Sequence, residues 1–177
     1  MADVSVRPAR AGDAAEIGRI QVATWRWGYR AVLPADVLAG LTEDAAAQAW
    51  QAAITEPPSA QHYVLVALEG EHTVGFTAFG PYDEREPDDP DERAVAVAAL
   101  LVEPRWQRRG HGSRLLAALT DLVGADAPTR IVAWIPEADT AMREFLIGAG
   151  WAPDGLGRAL DTGAGALREV RLHTRIG

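Results

Sequence analysis

Residues 100–123, LLVEPRWQRRGHGSRLLAALTDLV, constrain the fold more than any other stretch of the chain. The apolar run that ends here, AVAVAALLV, has no polar face and reads as a central strand covered on both sides. It stops at Glu103 and Pro104. A turn with Arg105, Arg108, Arg109, Gly110 and Gly112 follows, and apolar residues then resume at helical spacing, with Leu115, Leu119 and Leu122 on one face and Leu116 and Val123 beside it. A buried strand that runs through a glycine turn into a helix presents the helix's unpaired N–H groups to the turn, an arrangement suited to an anion. The glycines let backbone approach a ligand closely. Arginines cluster here although the protein carries a net charge of −8.

The rest of the chain supplies the other elements of a mixed α/β sheet. VSVRPA alternates as a short strand. AGDAAEIGRIQVATW takes helical spacing, with Asp13 as its expected cap and Ile17, Ile20, Ala23 and Trp27 on one core stripe. LPADVLAGLTEDAAAQAWQAAI reads as a short helix and a longer one, and HYVLVALE and TVGFTAFG as a hairpin around Gly70. The acidic segment from Tyr82 to Arg93 is expected to be a solvated loop. RIVAWI is a buried strand, DTAMREFLIGAG a helix, and LREVRLHTRI a half-exposed final strand.

Composition narrows the function. A length of 177 residues fits one domain, residues 1–177. The absence of cysteine removes disulfides and thiolate chemistry, and four scattered histidines offer no metal spacing. A net negative charge argues against a nucleic-acid partner. The longest apolar run is too short for a membrane span, and the first residues lack the apolar core of a secretory signal, so a cytoplasmic protein is expected.

Neither common phosphate loop fits. No lysine follows the glycines as a Walker loop requires, and Leu115 occupies the third glycine position of a dinucleotide fingerprint. The QxxGxG pattern from Gln107 to Gly112 does resemble the pyrophosphate loop of the GNAT acyltransferase superfamily. Residues 100–123 resemble that family's fourth strand, loop and next helix, and RIVAWIPEADTAMREFLIGAGWAPDG resembles its fifth strand, last helix and sixth-strand opening. The resemblance covers essentially the whole chain and implies a mostly antiparallel sheet of six or seven strands flanked by about four helices.

It also implies a chemistry. Acetyl-CoA would be the co-substrate, its pantetheine arm pairing with Leu100, Leu101 and Val102 and its pyrophosphate cradled by Gln107 and the N–H groups of Arg108, Arg109, Gly110, His111, Gly112 and Ser113. Leu101 N–H would be the oxyanion donor. Asp139 takes the place of an asparagine that contacts the cofactor. Trp25, Tyr29 and Tyr82 would face an amine-bearing small molecule or peptide, although Trp25 and Tyr29 equally suit helix packing. His111 reads as an exposed spacer. Family members often form homodimers. The chain departs from the pattern where relatives carry a side-chain base or acid, with Ala96, Trp134 and Leu146 at those positions. Two functions follow: acetyl transfer to a primary amine by direct attack, or an acyl-CoA-binding sensor without turnover.

Overall fold

The computed structural model describes residues 3–30, 33–84, 93–124, 129–163 and 165–176. Strand β1 (Val4–Pro8) and a 3-10 turn lead into α1 (Ala14–Gly28), followed by α2 (Ala35–Gly40) and α3 (Glu43–Thr55). The β2 (Tyr63–Glu69) and β3 (His72–Pro81) hairpin precedes β4 (Ala94–Val102), α4 (His111–Gly124), β5 (Thr129–Pro136), α5 (Thr140–Gly148), β6 (Ala152–Asp161) and β7 (Ala166–Ile176). One seven-stranded sheet in the order β1-β2-β3-β4-β5-β7-β6 joins them. Only β4 and β5 pair in parallel among the described strands, and α4 supplies the crossover a parallel pair requires. Thr42 caps α3 by accepting Ala45 N–H, and Asp139 caps α5 by accepting Met142 N–H. Asp13 does not cap α1; its carboxylate instead takes Arg10 N–H and a two-bond contact from Arg7. Five α-helices are described, the short α2 and the longer α3 being the two expected of residues 33–54. Of the acidic segment, residues 85–92 lie outside the described residues.

Two apolar cores lie on opposite faces of the sheet. Leu115, Leu119 and Val123 of α4, with Leu146 of α5, pack on Leu65, Val74, Leu100 and Ile131. On the other face Ile17 and Ile20 of α1, joined by Trp50 and Ile54 of α3, pack on Val66, Phe76 and Leu101. The period of two along a strand divides the residues of β4 between these cores.

The functional opening arises within β4. Ala78 pairs with Ala99 but Phe79 pairs with Val97, so Ala98 is the extra residue of a bulge. Pairing between β4 and β5 runs from Ala94↔Arg130 to Val97↔Ala133 and stops there. Beyond that point β4 continues along β3 to Val102↔Gly75, and β5 continues along β7 to Pro136↔Glu169. The sheet therefore opens between residues 98–102 and residues 134–136.

Gly18 sets how closely α1 and α3 approach, since a Cβ there would lie 2.6 Å from the Ala47 nitrogen. Gly18→Leu is expected to destabilise the fold by about 1–3 kcal/mol through overpacking. Thermal unfolding of the variant, with a Tm lowered by several degrees, checks it.

Candidate active site

Backbone direction along the opening follows from one hydrogen bond. Glu103 N–H donates to Val74 C=O at 2.9 Å. Antiparallel pairs alternate, so Leu101, two residues back and opposite Phe76, also directs its N–H and C=O to β3. Leu100 and Val102 direct theirs into the gap. The expectation that Leu101 supplies an oxyanion donor is thereby corrected: its amide is committed to the sheet and its side chain to the α1 core. The free donor at that level is Leu100 N–H. Val102 C=O also accepts Gln107 Nε2 at 3.2 Å, which folds the following loop back on the strand.

At the end of the gap the chain turns through two left-handed residues, Arg108 at φ 63° and Gly110 at φ 83°. Such reversals turn successive N–H groups toward one concave side. The backbone bond from Arg114 N–H to Gly110 C=O is an early one of α4, so the N–H groups just before it lack helical acceptors. Leu100, Leu101, Val102, Gln107, Arg108, Gly110, His111, Gly112, Ser113, Asp139 and Tyr29 line one cleft of about 590 Å³. Arg109 does not. Its guanidinium stacks on Trp106 at 4.8 Å and pairs with Glu69 at 3.2 Å. His111 is no exposed spacer either: it is almost wholly buried, with Nε2 2.7 Å from Glu69 Oε2. These contacts pin the loop to the β2–β3 hairpin.

Opposite the loop, α1 and α5 meet across the cleft, where Tyr29 Oη donates to Asp139 Oδ2 at 3.2 Å. Burial, reinforced by the Asp139 and Glu169 charges, pushes the Tyr29 hydroxyl well above the ordinary phenol range, so it stays protonated. Trp25 leaves the site for the α1 core, with its ring edge-on to Tyr29. Trp27, expected in the core, is 58% exposed at the cleft rim. Tyr82 is buried and its hydroxyl accepts from Arg171 Nη1 at 3.2 Å, outside the cleft. Leu146 is buried in the α4 core, so that position brings no acid to the cleft.

Sequence reasoning missed three contributors. Glu103 pairs with Arg19 of α1 and with Arg105. Burial alone would raise its carboxyl, but those guanidinium groups hold it below the usual carboxylate range. The pair ties α1 to the strand end where the loop begins. Thr24, on α1, lines the cleft with a buried hydroxyl that has no partner among the described residues, and Glu69 holds His111. Only the apolar surroundings of Glu103 gave a sequence signal.

Residues 20–150 match the acetyltransferase (GNAT) family. The chain belongs to that family. The uncharacterised N-acetyltransferase YuaI of Bacillus subtilis aligns at 28% identity over 78% of this chain and 75% of its own. PaiA N-acetyltransferase of Thermoplasma acidophilum, solved in complex with coenzyme A, superposes with TM-score 0.75 over 98% of this chain and 99% of its own at 11% identity. YncA of Salmonella typhimurium, solved with acetyl-CoA, gives 0.69 over 98% and 94% at 21% identity. At these identities the structures establish a shared fold.

Because Glu103 is ionised below the ordinary range, it contributes stability above about pH 4 that is lost as pH falls through its depressed pKa. Glu103→Gln is expected to cost about 1–2 kcal/mol at pH 7, limited by the partial exposure of Arg19, and less at pH 3. Urea unfolding at both pH values measures the difference.

Proposed function

We propose that the protein transfers an acetyl group from acetyl-CoA to a primary amine by direct attack. The observation that carries this reading is the pair of cleft-facing backbone amides, Leu100 and Val102, leading to a glycine loop at the start of α4. A pantetheine arm carries amides able to add to an open strand edge, and a diphosphate suits the N–H groups of residues 108–113. The relatives solved with coenzyme A and acetyl-CoA share this fold, which supports the same co-substrate here.

Leu100 N–H faces the gap and would take the negative charge that develops on the thioester oxygen. It is held by β3 through its neighbours, so little reorganisation accompanies the step. Tyr29 remains protonated and stands across the same cleft; we assign it a hydrogen bond to the departing sulfur, which leaves as the thiolate and takes its proton from water. No carboxylate occupies the strand positions of Ala96 and Trp134. The acceptor therefore enters as the free amine, its surplus proton passing to water after attack. Orientation and the oxyanion donor carry much of the acceleration.

Free thiol release from acetyl-CoA, followed against a panel of primary amines from pH 6 to 10 with cofactor binding measured by calorimetry, tests the reading. Turnover that rises with pH supports it. Tight binding without turnover across the panel overturns it in favour of an acyl-CoA sensor. Leu100→Pro removes the cleft N–H without removing a bond to β3. It is expected to lower kcat by about 100–1,000-fold while calorimetry still shows acetyl-CoA binding. Tyr29→Phe is expected to lower kcat by about 10–100-fold with little change in acetyl-CoA affinity, as steady-state kinetics will show.

A further inference from the structure

The face of β5, β7 and β6 opposite α4 carries charge that the transfer reaction above does not use. Ile131, Ala133 and Ile135 of β5 and Val170 and Leu172 of β7 pack toward α4, so Trp134, Glu169 and Arg171 project to the other face. This is the side on which Tyr29 closes the opening. Glu169 stands opposite Pro136 at the last pair of β5, beside the gap, and its charge contributes to keeping Tyr29 protonated. A thioester held by Leu100 N–H, with its diphosphate at the start of α4, would meet its acceptor here.

On this face Arg158 reaches from β6 across β7, placing its guanidinium 4.4 Å from the centre of the Trp134 ring. Its Nε donates to Glu169 Oε2 at 2.6 Å, which fixes one edge. The outer edge is only lightly held. Nη1 donates to Glu84 Oε2 at 3.2 Å, from a side chain that is 77% exposed, and Nη2 has no hydrogen-bond partner among the described residues. A carboxylate of the chain itself thus occupies half of a fork that can take a carboxylate with two bonds. Exposed pairs of this kind contribute little and are readily exchanged. Beneath the guanidinium, Trp134 Nε1–H is buried without an acceptor among the described residues. Arg171, bonded to Asp154 at 2.6 Å, braces the indole from 5.7 Å.

We propose that Arg158 and Glu169 form the receptor for an acceptor bearing a carboxylate beside its amine, an α-amino acid or a close analogue. This rests on the acetyl-transfer reading and names its substrate class. The ligand carboxylate displaces Glu84 and takes the Nη1–Nη2 edge, and its amine, entering in the free form, donates N–H to Glu169 Oε1, which makes no hydrogen bond within the described chain. Arg158 and Glu169 are directly bonded, so the ligand carboxylate and amine they receive must lie close together. An α-amino acid satisfies that spacing. A long diamine has no anion for Arg158 at all.

The test uses the full chain with acetyl-CoA and follows thiol release with the common L-amino acids, the matching carboxamides, the matching decarboxylated amines, and aliphatic diamines. At least one amino acid is expected to exceed its carboxamide in kcat/KM by about 30-fold or more, in line with loss of a two-bond charged contact. Arg158→Gln should collapse that ratio, mainly through KM, with calorimetric acetyl-CoA affinity and Tm confirming that the variant is folded. Glu84→Gln, a change at an exposed side chain, should lower KM for the amino acid several-fold by removing the competing carboxylate. Carboxamides or diamines turned over as well as the acids would overturn the assignment and leave acetyl transfer standing. An unchanged KM in Glu84→Gln would also overturn it, whereas thiol release with no acceptor would overturn both.

Discussion

The bulge at Ala98 is the feature on which the rest of the molecule depends. A parallel pair satisfies backbone groups along its full length when the two strands stay in register. One extra residue in β4 keeps that strand bonded to β3 while its pairing with β5 ends at Val97. The amide groups of Leu100 and Val102 are left facing a gap rather than a neighbouring strand. Unmet backbone groups in a dry interior would each cost about 1–3 kcal/mol, but this gap opens into a cleft where solvent or a ligand amide can meet them. A local irregularity in the ladder thus becomes a binding edge in the middle of a sheet, flanked on both sides by intact strands that hold it rigid.

Charge is distributed so that the cleft is shaped by ion pairs and charged by backbone. The arginines around the loop suggest a phosphate clamp, yet Arg105 and Arg109 are engaged with Glu103 and Glu69. Arg19 reaches Glu103 from α1, and His111 reaches Glu69 from the first turn of α4. The pairs of Arg19, Arg109 and His111 each join segments distant in sequence at the cleft border. The positive end of α4 and the left-handed turns at Arg108 and Gly110 then leave backbone N–H groups whose geometry suits an anion. Under the proposed function, this division would let a protein of net charge −8 hold a polyanionic ligand in one place.

The two halves of the opening have different surroundings. Toward α4 the walls are apolar and packed, which suits a narrow arm passing between strands. Toward the other face α1 and α3 cover β2, β3 and the end of β4, whereas β5, β6 and β7 carry Arg158, Glu169, Arg171 and Asp154 there. Tyr29 sits at the boundary, bonded to Asp139 of α5 and influenced by Glu169. It links the side where the cofactor would lie to the side where an acceptor would arrive.

Local pattern determined a great deal by itself. The apolar run into β4, the helical spacing of α4 and α5 and the alternation of β7 are periodicities that a chain carries in its own order, and the loop from Gln107 to Ser113 is contiguous, so its members necessarily lie together. Tertiary structure decided what depends on pairing between distant segments. The phase of hydrogen bonding against β3 sent Leu101 into the sheet and Leu100 into the gap, and a single bulged residue elsewhere in the ladder is enough to set that phase. Trp25 took the packing place left open for it and Trp27 turned outward from its expected core place, because helical spacing gives relative direction around an axis while packing against β3 and α3 fixes which direction is inside. Glu69 with His111, Glu103 with Arg19, and Arg158 with Glu169 are contacts made across strands or between helix and strand. Their side-chain chemistry is present in the sequence, but its partners are chosen only when the sheet brings them within a hydrogen bond.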